Sequence, residues 1–276
     1  MIKRRKTKTA RVGSIKIGSG NPIVIQSMIK TATTDVRRSI AQINKLLSAG
    51  CQLVRVAVPT KADSIAFAKI VQKVDPPLIA DIHFSAARAI EAIEAGAAKI
   101  RLNPGNIRKR SDILKIIDAA KAHKIAIRIG VNEASIRDLK RADTPDKKRV
   151  DLMLSEMKKY VRIFESRKFS NIVLSAKSAD VSRTIEINRA IAKEFDYPIH
   201  IGLTHAGLPE DAKAPSAVAI GTLLAEGIGD TIRVSLAGDP LREVYLAQEI
   251  LKSLGLFSDN KPNLLSAPPA ADARLT

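Results

Sequence analysis

The feature that most constrains the fold is an alternation of short strand-like runs with longer segments of helical period. The strand-like runs are nearly continuously apolar, which is typical of a parallel sheet covered by helices. Between them, apolar residues recur at i, i+3, i+4 and i+7, as in "DVRRSIAQINKLLSAG", and several segments end at glycine, a common helix stop. The eight strand-like runs are residues 23–28, 52–58, 77–82, 99–103, 126–131, 171–177, 199–204 and 231–236.

This alternation predicts an α/β fold in which eight parallel strands close into a TIM-type (β/α)8 barrel. Such barrels typically need about 250 residues, and the chain has 276. The alternative, an open doubly wound sheet, is disfavoured because no G-x-G-x-x-G motif follows the first strand. A short β-hairpin is predicted at residues 9–20. We expect one barrel domain over residues 1–257 and a linker or disordered tail, rich in Pro and Ala, over residues 258–276.

Charge and composition narrow the classes of partner. The net charge of +18 implies an anionic ligand or partner. Nucleic acid is disfavoured, because aromatic residues make up only 3 % of the chain and no helix-turn-helix, zinc-finger or RNP-type signature is present. No apolar run approaches the roughly 18 residues needed to cross a bilayer. The N-terminus lacks the apolar core of a secretory signal, so we expect a cytoplasmic protein with no membrane partner.

The chain contains one cysteine, Cys51. An intramolecular disulfide is therefore impossible, and a thiolate-rich metal or iron–sulfur site would lack ligands within these residues. We expect Cys51 to be a buried, unreactive thiol and predict no metal site in this chain.

Five of the eight predicted strands place a cation within an otherwise apolar run, close to its C-terminal half. In "KIRLNPGN", for example, Arg101 stands between two apolar residues just before the strand gives way to a loop. Desolvated charges require partners, and the eight predicted strands together carry only one carboxylate, Asp81. This imbalance favours a bound polyanion at the C-terminal face over a closed layer of ion pairs, and arginine suits the bidentate binding of phosphate. The five cations are Arg55, Arg101, Arg128, Lys177 and Arg233.

Polar residues next to these cations suit an anion site. Asn103, Asn106 and Asn132 supply amide donors. Gly105 and Gly130 allow the backbone to approach a ligand closely. The sequence thus predicts a site for a small, multiply charged phosphate compound.

The histidines leave alternatives open. Asp81 and His83 share a face of the third strand and could form a proton-transfer or orienting pair, although a satisfied core histidine fits the pattern equally well. His205, after the seventh strand, is open to the same two interpretations. We interpret His123 and His200 as structural. The candidate catalytic residues are therefore Asp81, His83 and His205.

The motifs "PIVIQSM", "ADIHF", "KIRLNPGNI", "RIGVN" and "GIGDTIRVSLAGDP" occur in this order over residues 7–256. In order and spacing, the chain resembles the 4-hydroxy-3-methylbut-2-en-1-yl diphosphate synthases of the non-mevalonate isoprenoid pathway. The resemblance implies a barrel that binds 2-C-methyl-D-erythritol 2,4-cyclodiphosphate at its C-terminal face, for reductive ring opening and dehydroxylation. By motif match, it assigns substrate binding to Arg55, Arg101, Asn103, Arg128, Asn132, Lys177, Arg233 and Ser235, with His83 nearby.

The resemblance also implies a cofactor and partners. Members of this family bind a 4Fe-4S cluster through three cysteines and a glutamate of a separate C-terminal domain, which closes over the barrel of the other subunit in a homodimer. A flavodoxin or ferredoxin would supply the two electrons.

The chain departs from the family pattern at two places. "THAG" replaces the usual T-E-A-G, so that His205 stands where a glutamate is expected. Ala267 and Ala270 stand at the cysteine positions of S-C-P-x-C, and alanine cannot ligate iron. We therefore expect the C-terminal iron–sulfur domain to be absent and the cluster ligands to be missing from this chain.

Three hypotheses follow. The chain is the substrate-binding barrel of a diphosphate synthase, whose turnover requires a cluster-bearing partner chain; or it is a non-catalytic, diphosphate-binding homologue. The third hypothesis, a nucleic-acid-binding protein that uses the basic surface, is the least favoured of the three, because aromatic residues are few and no nucleic-acid-binding signature is present.

Overall fold

A computed structural model describes residues 2–103, 105–107, 109–136, 144–204 and 209–258 of the chain. Within these residues, an N-terminal hairpin precedes eight parallel strands that alternate with helices. The hairpin strands are β1 (Ala10–Val12) and β2 (Ile15–Ile17). The parallel strands are β3 (Val24–Met28), β4 (Leu53–Ala57), β5 (Leu78–Asp81), β6 (Lys99–Leu102), β7 (Ala126–Asn132), β8 (Ile172–Lys177), β9 (His200–Ile201) and β10 (Thr231–Ile232).

A helix follows each parallel strand. Side-chain caps fix several helix starts; in the second helix, Thr60 and Asp63 each cap the other's backbone N–H in a capping box. A short 3-10 turn, Glu133–Ser135, follows β7. The helices are α1 (Val36–Ser48), α2 (Lys61–Val71), α3 (Ala86–Glu94), α4 (Arg110–Ala122), α5 (Asp146–Ser166), α6 (Val181–Glu194), α7 (Pro209–Ala225) and α8 (Leu241–Ser253). No helix among the described residues is both long and apolar enough to span a membrane.

The sheet closes on itself. Its strands lie in the order β8-β7-β6-β5-β4-β3-β10-β9. The two end strands also meet, since Leu174 and Ile199 form a parallel bridge and the Leu174 N–H donates to the Pro198 carbonyl at 2.9 Å. The predicted TIM-type barrel with an N-terminal hairpin is therefore confirmed.

Two strands are shorter than predicted. β9 and β10 have two residues each, whereas the sequence predicts strands over residues 199–204 and 231–236. The chain stays alongside its neighbours beyond them: the Arg233 N–H donates to the Ile201 carbonyl at 3.1 Å, and the Thr204 N–H to the Ser178 carbonyl at 3.0 Å. Pairing thus continues as isolated hydrogen bonds at the C-terminal end, where the regular ladder stops.

The hairpin covers the N-terminal end of the barrel. Ala10, Val12 and Ile17 pack against a layer of inward-facing residues at the strand starts. The Arg11 backbone also bonds the Asn171 side chain, just before β8, at 2.8 and 3.1 Å. The interior is therefore closed at this end by a largely apolar layer, and the cations of the strands lie toward the other end. The inward-facing layer consists of Val24, Leu53, Ile79, Ala126 and Val173.

Candidate functional site

Strand alternation turns the predicted cations into the barrel interior. Residues two apart on a strand share a face, and Leu53 and Ala126, which belong to the inward apolar layer, lie two residues before Arg55 and Arg128. The strand register places Arg101 beside Asp81 on one side and beside Arg128 on the other. The cations thus form a layer directly above the apolar one, toward the C-terminal face.

Asp81 is the anion at the centre of this layer. Its carboxylate lies 3.5 Å from Arg55 Nε, 3.5 Å from Arg101 Nη1 and 3.5 Å from His83 Nε2. Burial opposes its ionisation, but Arg55, the His83 hydrogen bond and Arg101 outweigh this effect and hold the pKa of Asp81 well below its usual range. A carboxylate that stays ionised is a poor proton carrier near neutral pH, so the geometry favours the orienting alternative for Asp81 and His83.

Arg128 and Lys177 lie in the same layer without a carboxylate partner among the described residues. Burial lowers the pKa of Arg128, and repulsion from Arg55 and Arg101 lowers it further. Burial, followed by repulsion from Arg128 and Arg233, likewise lowers the pKa of Lys177 well below its ordinary value. Because a guanidinium keeps its proton in proteins, a bound anion is the arrangement that relieves this repulsion.

Arg233 has a partner that the sequence did not indicate. Its Nε and Nη2 donate to Oε2 and Oε1 of Glu243, in the first turn of α8, at 3.1 and 3.2 Å. Glu243 is fully buried and also accepts from Ser27 Oγ at 3.0 Å, while Lys30 Nζ lies 3.3 Å away. The folded site therefore contains a second carboxylate, Glu243, which lies on a helix and so was not part of the count over the strands. Lys30 is a sixth cation, so in this part of the described structure six cations still outnumber two carboxylates.

The predicted polar neighbours lie around the cation layer. Asn103 Oδ1 accepts from the Gly105 N–H and from Ser135 Oγ, both at 3.1 Å. Asn132 is in register with Lys177, and its carbonyl accepts from Ser135 Oγ at 2.7 Å. Ser135, which the sequence analysis did not single out, thus joins the loops that carry the two asparagines.

Ser235 lies two residues beyond Arg233 and is half-buried. Glu133, a further residue that the sequence analysis missed, accepts from Ser178 Oγ and pairs with Arg149 and Arg183 at 3.0 and 3.3 Å. These contacts hold the loop after β7 against the start of α6.

His205 lies outside the described residues, so its role stays a prediction.

Two glycines make room for the cations. A Cβ atom at Gly130 would lie 3.3 Å from Arg101 Nε, and one at Gly202 would lie 2.8 Å from Lys177 Nζ. A larger residue at Gly130 would press on Arg101, and one at Gly202 would press on Lys177 and on the Arg233 carbonyl oxygen, which lies 2.5 Å away. The close neighbours of Gly202 cannot be read from the sequence.

Cys51 does not fit an iron–sulfur cluster. Its thiol is fully buried and lies 3.2 Å from the Leu53 carbonyl, and burial raises the pKa of the thiol to about 12. A thiolate is the ligating form. Within the described ranges, no group of three or more His, Cys, Asp and Glu side chains is arranged to hold a metal ion.

Comparison with known proteins identifies relatives of high similarity. A family model described as the GcpE TIM-barrel domain matches residues 7–248. The 4-hydroxy-3-methylbut-2-en-1-yl diphosphate synthase (flavodoxin) of Malacoplasma penetrans (strain HF-2) is 47 % identical over 266 residues, covering 96 % of this chain and 72 % of the relative. The protein of the same name from Bacillus subtilis (strain 168) is 44 % identical over 267 residues, covering 96 % and 70 %.

Solved structures of other proteins share the fold alone. Dihydropteroate synthase of Stenotrophomonas maltophilia superposes with a TM-score of 0.66 at 14 % identity, over 88 % of this chain and 98 % of that one. Dihydropteroate synthase of Yersinia pestis gives a TM-score of 0.62 at 12 % identity, over 90 % and 98 %. At such identities the similarity concerns the barrel and not its ligand.

Proposed function

The chain belongs to the GcpE family of 4-hydroxy-3-methylbut-2-en-1-yl diphosphate synthases, and we propose that its barrel binds the family's cyclic substrate, 2-C-methyl-D-erythritol 2,4-cyclodiphosphate. The reaction would be the reductive ring opening and dehydroxylation of this compound in isoprenoid biosynthesis. The observation that carries the proposal is the layer of buried cations, of which Arg128 and Lys177 have no carboxylate partner among the described residues.

The geometry supports phosphate binding in this layer. Arg233 uses Nε and Nη2 on Glu243, which leaves Nη1 to point elsewhere, and Arg101 Nε has no partner among the described residues. Each charge-assisted hydrogen bond to phosphate adds about 1.5 to 3 kcal/mol before the costs of ordering and desolvation. In this proposal Arg55, Arg101, Arg128, Lys177 and Arg233 bind the two phosphoryl groups.

The remaining candidates have supporting roles. Asn103, Asn132 and Ser235 bind substrate oxygens from the surrounding loops. His83, fixed by Asp81, faces the same layer and orients the substrate.

The domain limits at residues 1–257 and 258–276 also stay predictions.

The curated relatives are named for flavodoxin, and we propose a flavodoxin-type electron donor for this chain. Because Cys51 is buried as a neutral thiol, we assign no electron-transfer step to the described residues. The 4Fe-4S cluster, the cluster-bearing partner, the homodimer and the cytoplasmic location are proposals that rest on the resemblance.

A second candidate function is a diphosphate-binding homologue that does not turn its ligand over. The buried thiol of Cys51 supports it, because a neutral thiol does not ligate iron. The two candidates share the anion site and differ in chemistry. Product formation with a reduced flavodoxin and a cluster-bearing partner chain distinguishes them if it is lost in Arg101→Ala of this chain, since only the enzyme component contributes to turnover. A nucleic acid is disfavoured further by burial, because the side chains of Arg55, Arg101 and Arg233 are only 14 %, 17 % and 12 % exposed.

Calorimetric titration with the cyclic diphosphate tests the proposal. The unmodified chain should bind with a Kd of about 1 μM. Arg101→Ala and Lys177→Ala should each weaken binding about 10- to 100-fold, since each removes a charge-assisted contact. Arg162→Ala, on the exposed surface of α5, is the matched control and should bind as the unmodified chain does. Absence of binding heat, or equal affinity in all four proteins, would refute the proposal.

A further inference from the structure

Lys99 and His200 lie in the barrel interior directly below the cation layer. Lys99 is the first residue of β6 and is in register with Ile79 and Ala126 of the apolar layer. His200 is the first residue of β9 and is in register with Thr231. Both side chains are completely inaccessible to solvent. An amine and an imidazole are therefore enclosed beneath the proposed substrate.

Neither side chain has a hydrogen-bond partner among the described residues. Lys99 Nζ, His200 Nδ1 and His200 Nε2 are all buried without a donor or acceptor within range in the described part of the chain. The two interior carboxylates contact other groups, since Asp81 contacts Arg55 and Arg101 and Glu243 contacts Arg233. Native proteins rarely leave buried polar groups unpaired, and each exception calls for an explanation, such as a catalytic role or a bound water or ion.

The surroundings of Lys99 are strongly positive. Burial lowers the pKa of Lys99 well below its ordinary value, and repulsion from Arg128 and Arg55 lowers it further. Burial also lowers the pKa of His200, followed by repulsion from Arg128, Lys177 and Lys99. Burial and the neighbouring positive charges thus both disfavour the protonated forms of Lys99 and His200. The charged groups that face this part of the interior are Arg55, Asp81, Arg101, Arg128, Lys177 and Arg233.

A bound dianion weakens this positive local field. Two negative charges in the cation layer neutralise the arginines that repel a proton from Lys99, and the low dielectric of the interior makes the effect large at this range. We propose that Lys99 is a proton-binding site coupled to the anion site: when a diphosphate binds above it, the amine takes up one proton from solution and becomes an ammonium ion. This inference rests on the proposed function, because it requires the anion to occupy the cation layer.

The coupling has a defined thermodynamic consequence. If the complex holds one more proton than the free protein, affinity must fall as pH rises, by about tenfold per pH unit for one proton. The cyclic diphosphate contributes nothing to this dependence near neutral pH, because each of its phosphorus atoms carries one strongly acidic hydroxyl, as in a phosphodiester. Lys177 is the competing acceptor, since it is also buried in the positive layer. The test must therefore separate the two lysines.

Calorimetry in two buffers measures the proton directly. The cyclic diphosphate is titrated into the chain at about pH 8 in Tris and in HEPES, whose ionisation enthalpies differ, and the slope of heat against ionisation enthalpy gives the protons taken up. Lys99→Met keeps the length of the side chain and removes the proton site. Lys115→Met makes the same change at an exposed position of α4 and is the control. We expect Lys99→Met to take up about one proton fewer than both the unmodified chain and the control.

The outcomes are distinct. No binding heat in any buffer overturns the proposed function itself. Binding whose heat is the same in both buffers leaves the proposed function intact and overturns the inference. Proton uptake that is undiminished in Lys99→Met also overturns it, because the proton then resides on Lys177 or another group. If Lys99→Met does not fold, as judged by circular dichroism, an affinity of the unmodified chain that does not change with pH overturns the inference by itself.

Discussion

Replacing Glu243 with methionine removes the carboxylate that holds Arg233. The side chain of Glu243 is completely inaccessible, and it accepts two hydrogen bonds from Arg233, one from Ser27 Oγ and one from the Leu236 N–H. Methionine has a similar volume, so the change leaves little cavity. The main effect of Glu243→Met is a buried guanidinium without its partner.

The magnitude follows from burial. Breaking a buried ion pair by removing one partner costs about 3 to 5 kcal/mol, because the other charge remains desolvated. For a domain of this size, each kcal/mol shifts Tm by about 2 to 4 °C. The expected loss in Tm is therefore about 6 to 20 °C. Removing both charges in Arg233→Met/Glu243→Met should restore much of the loss, since a buried pair is often replaceable by apolar residues at little cost.

Thermal and urea unfolding, followed by circular dichroism, measure the free energies of unfolding for the double-mutant cycle. Glu249→Met makes the same change at an exposed position of α8 and should alter stability by no more than about 0.5 kcal/mol. A loss below about 1 kcal/mol in Glu243→Met would refute the reasoning. So would a double variant whose loss equals the sum of the two single losses, since the two residues would then not be coupled.

Three further predictions follow from the interior groups. The depressed pKa of Asp81 means that its contribution to stability is present above the ordinary carboxyl pKa range and is lost as the pH falls below that range. In urea unfolding, Asp81→Asn should therefore lose less stability between about pH 5 and pH 3 than the unmodified chain does. Equal losses in the two proteins would contradict this. With a thiol pKa of about 12, native Cys51 should not react with a thiol-specific disulfide reagent at about pH 8 but should react in urea, whereas reaction of the folded protein would contradict its burial. Gly130→Ala places a Cβ atom 3.3 Å from Arg101 Nε. Forcing the Arg101 side chain off its rotamer costs about 0.5 to 1.5 kcal/mol, so calorimetry should find that the variant binds the cyclic diphosphate about two- to tenfold more weakly. Unchanged affinity would show that Arg101 does not contact the ligand.

Much of the fold could be predicted because its signals are local. Hydrophobic periodicity distinguishes strand from helix over a few residues, so all eight barrel strands were located, together with the hairpin. The predicted β9 and β10 are too long because regular strand pairing stops early there, although the chain still makes isolated hydrogen bonds to its neighbours. An apolar pattern does not distinguish a regularly paired strand from such a segment.

The contacts between residues of the site were harder to predict from the sequence. Arg101 and Asp81 were found because each interrupts an apolar strand. Glu243 was missed because an acidic residue in the first turn of a helix is ordinary there, and its bond to Ser27 spans 216 positions of the chain. His200 was interpreted as structural because a single histidine in a strand carries no sign of which charges surround it.

The sequence by itself determined the number and order of the strands, the side of each strand that faces inward and the presence of cations at the strand ends. These follow from periods of two and 3.6 residues, which every short segment carries in its own letters. Only the tertiary structure decided which charges are paired. Closure of the barrel brings β3, β10 and α8 together around Arg233. It also encloses the side chains of Lys99 and His200, which have no hydrogen-bond partner in the part of the chain that the structure describes. Whether a charge is neutralised depends on distances and burial set by that closure, which no segment of the sequence contains.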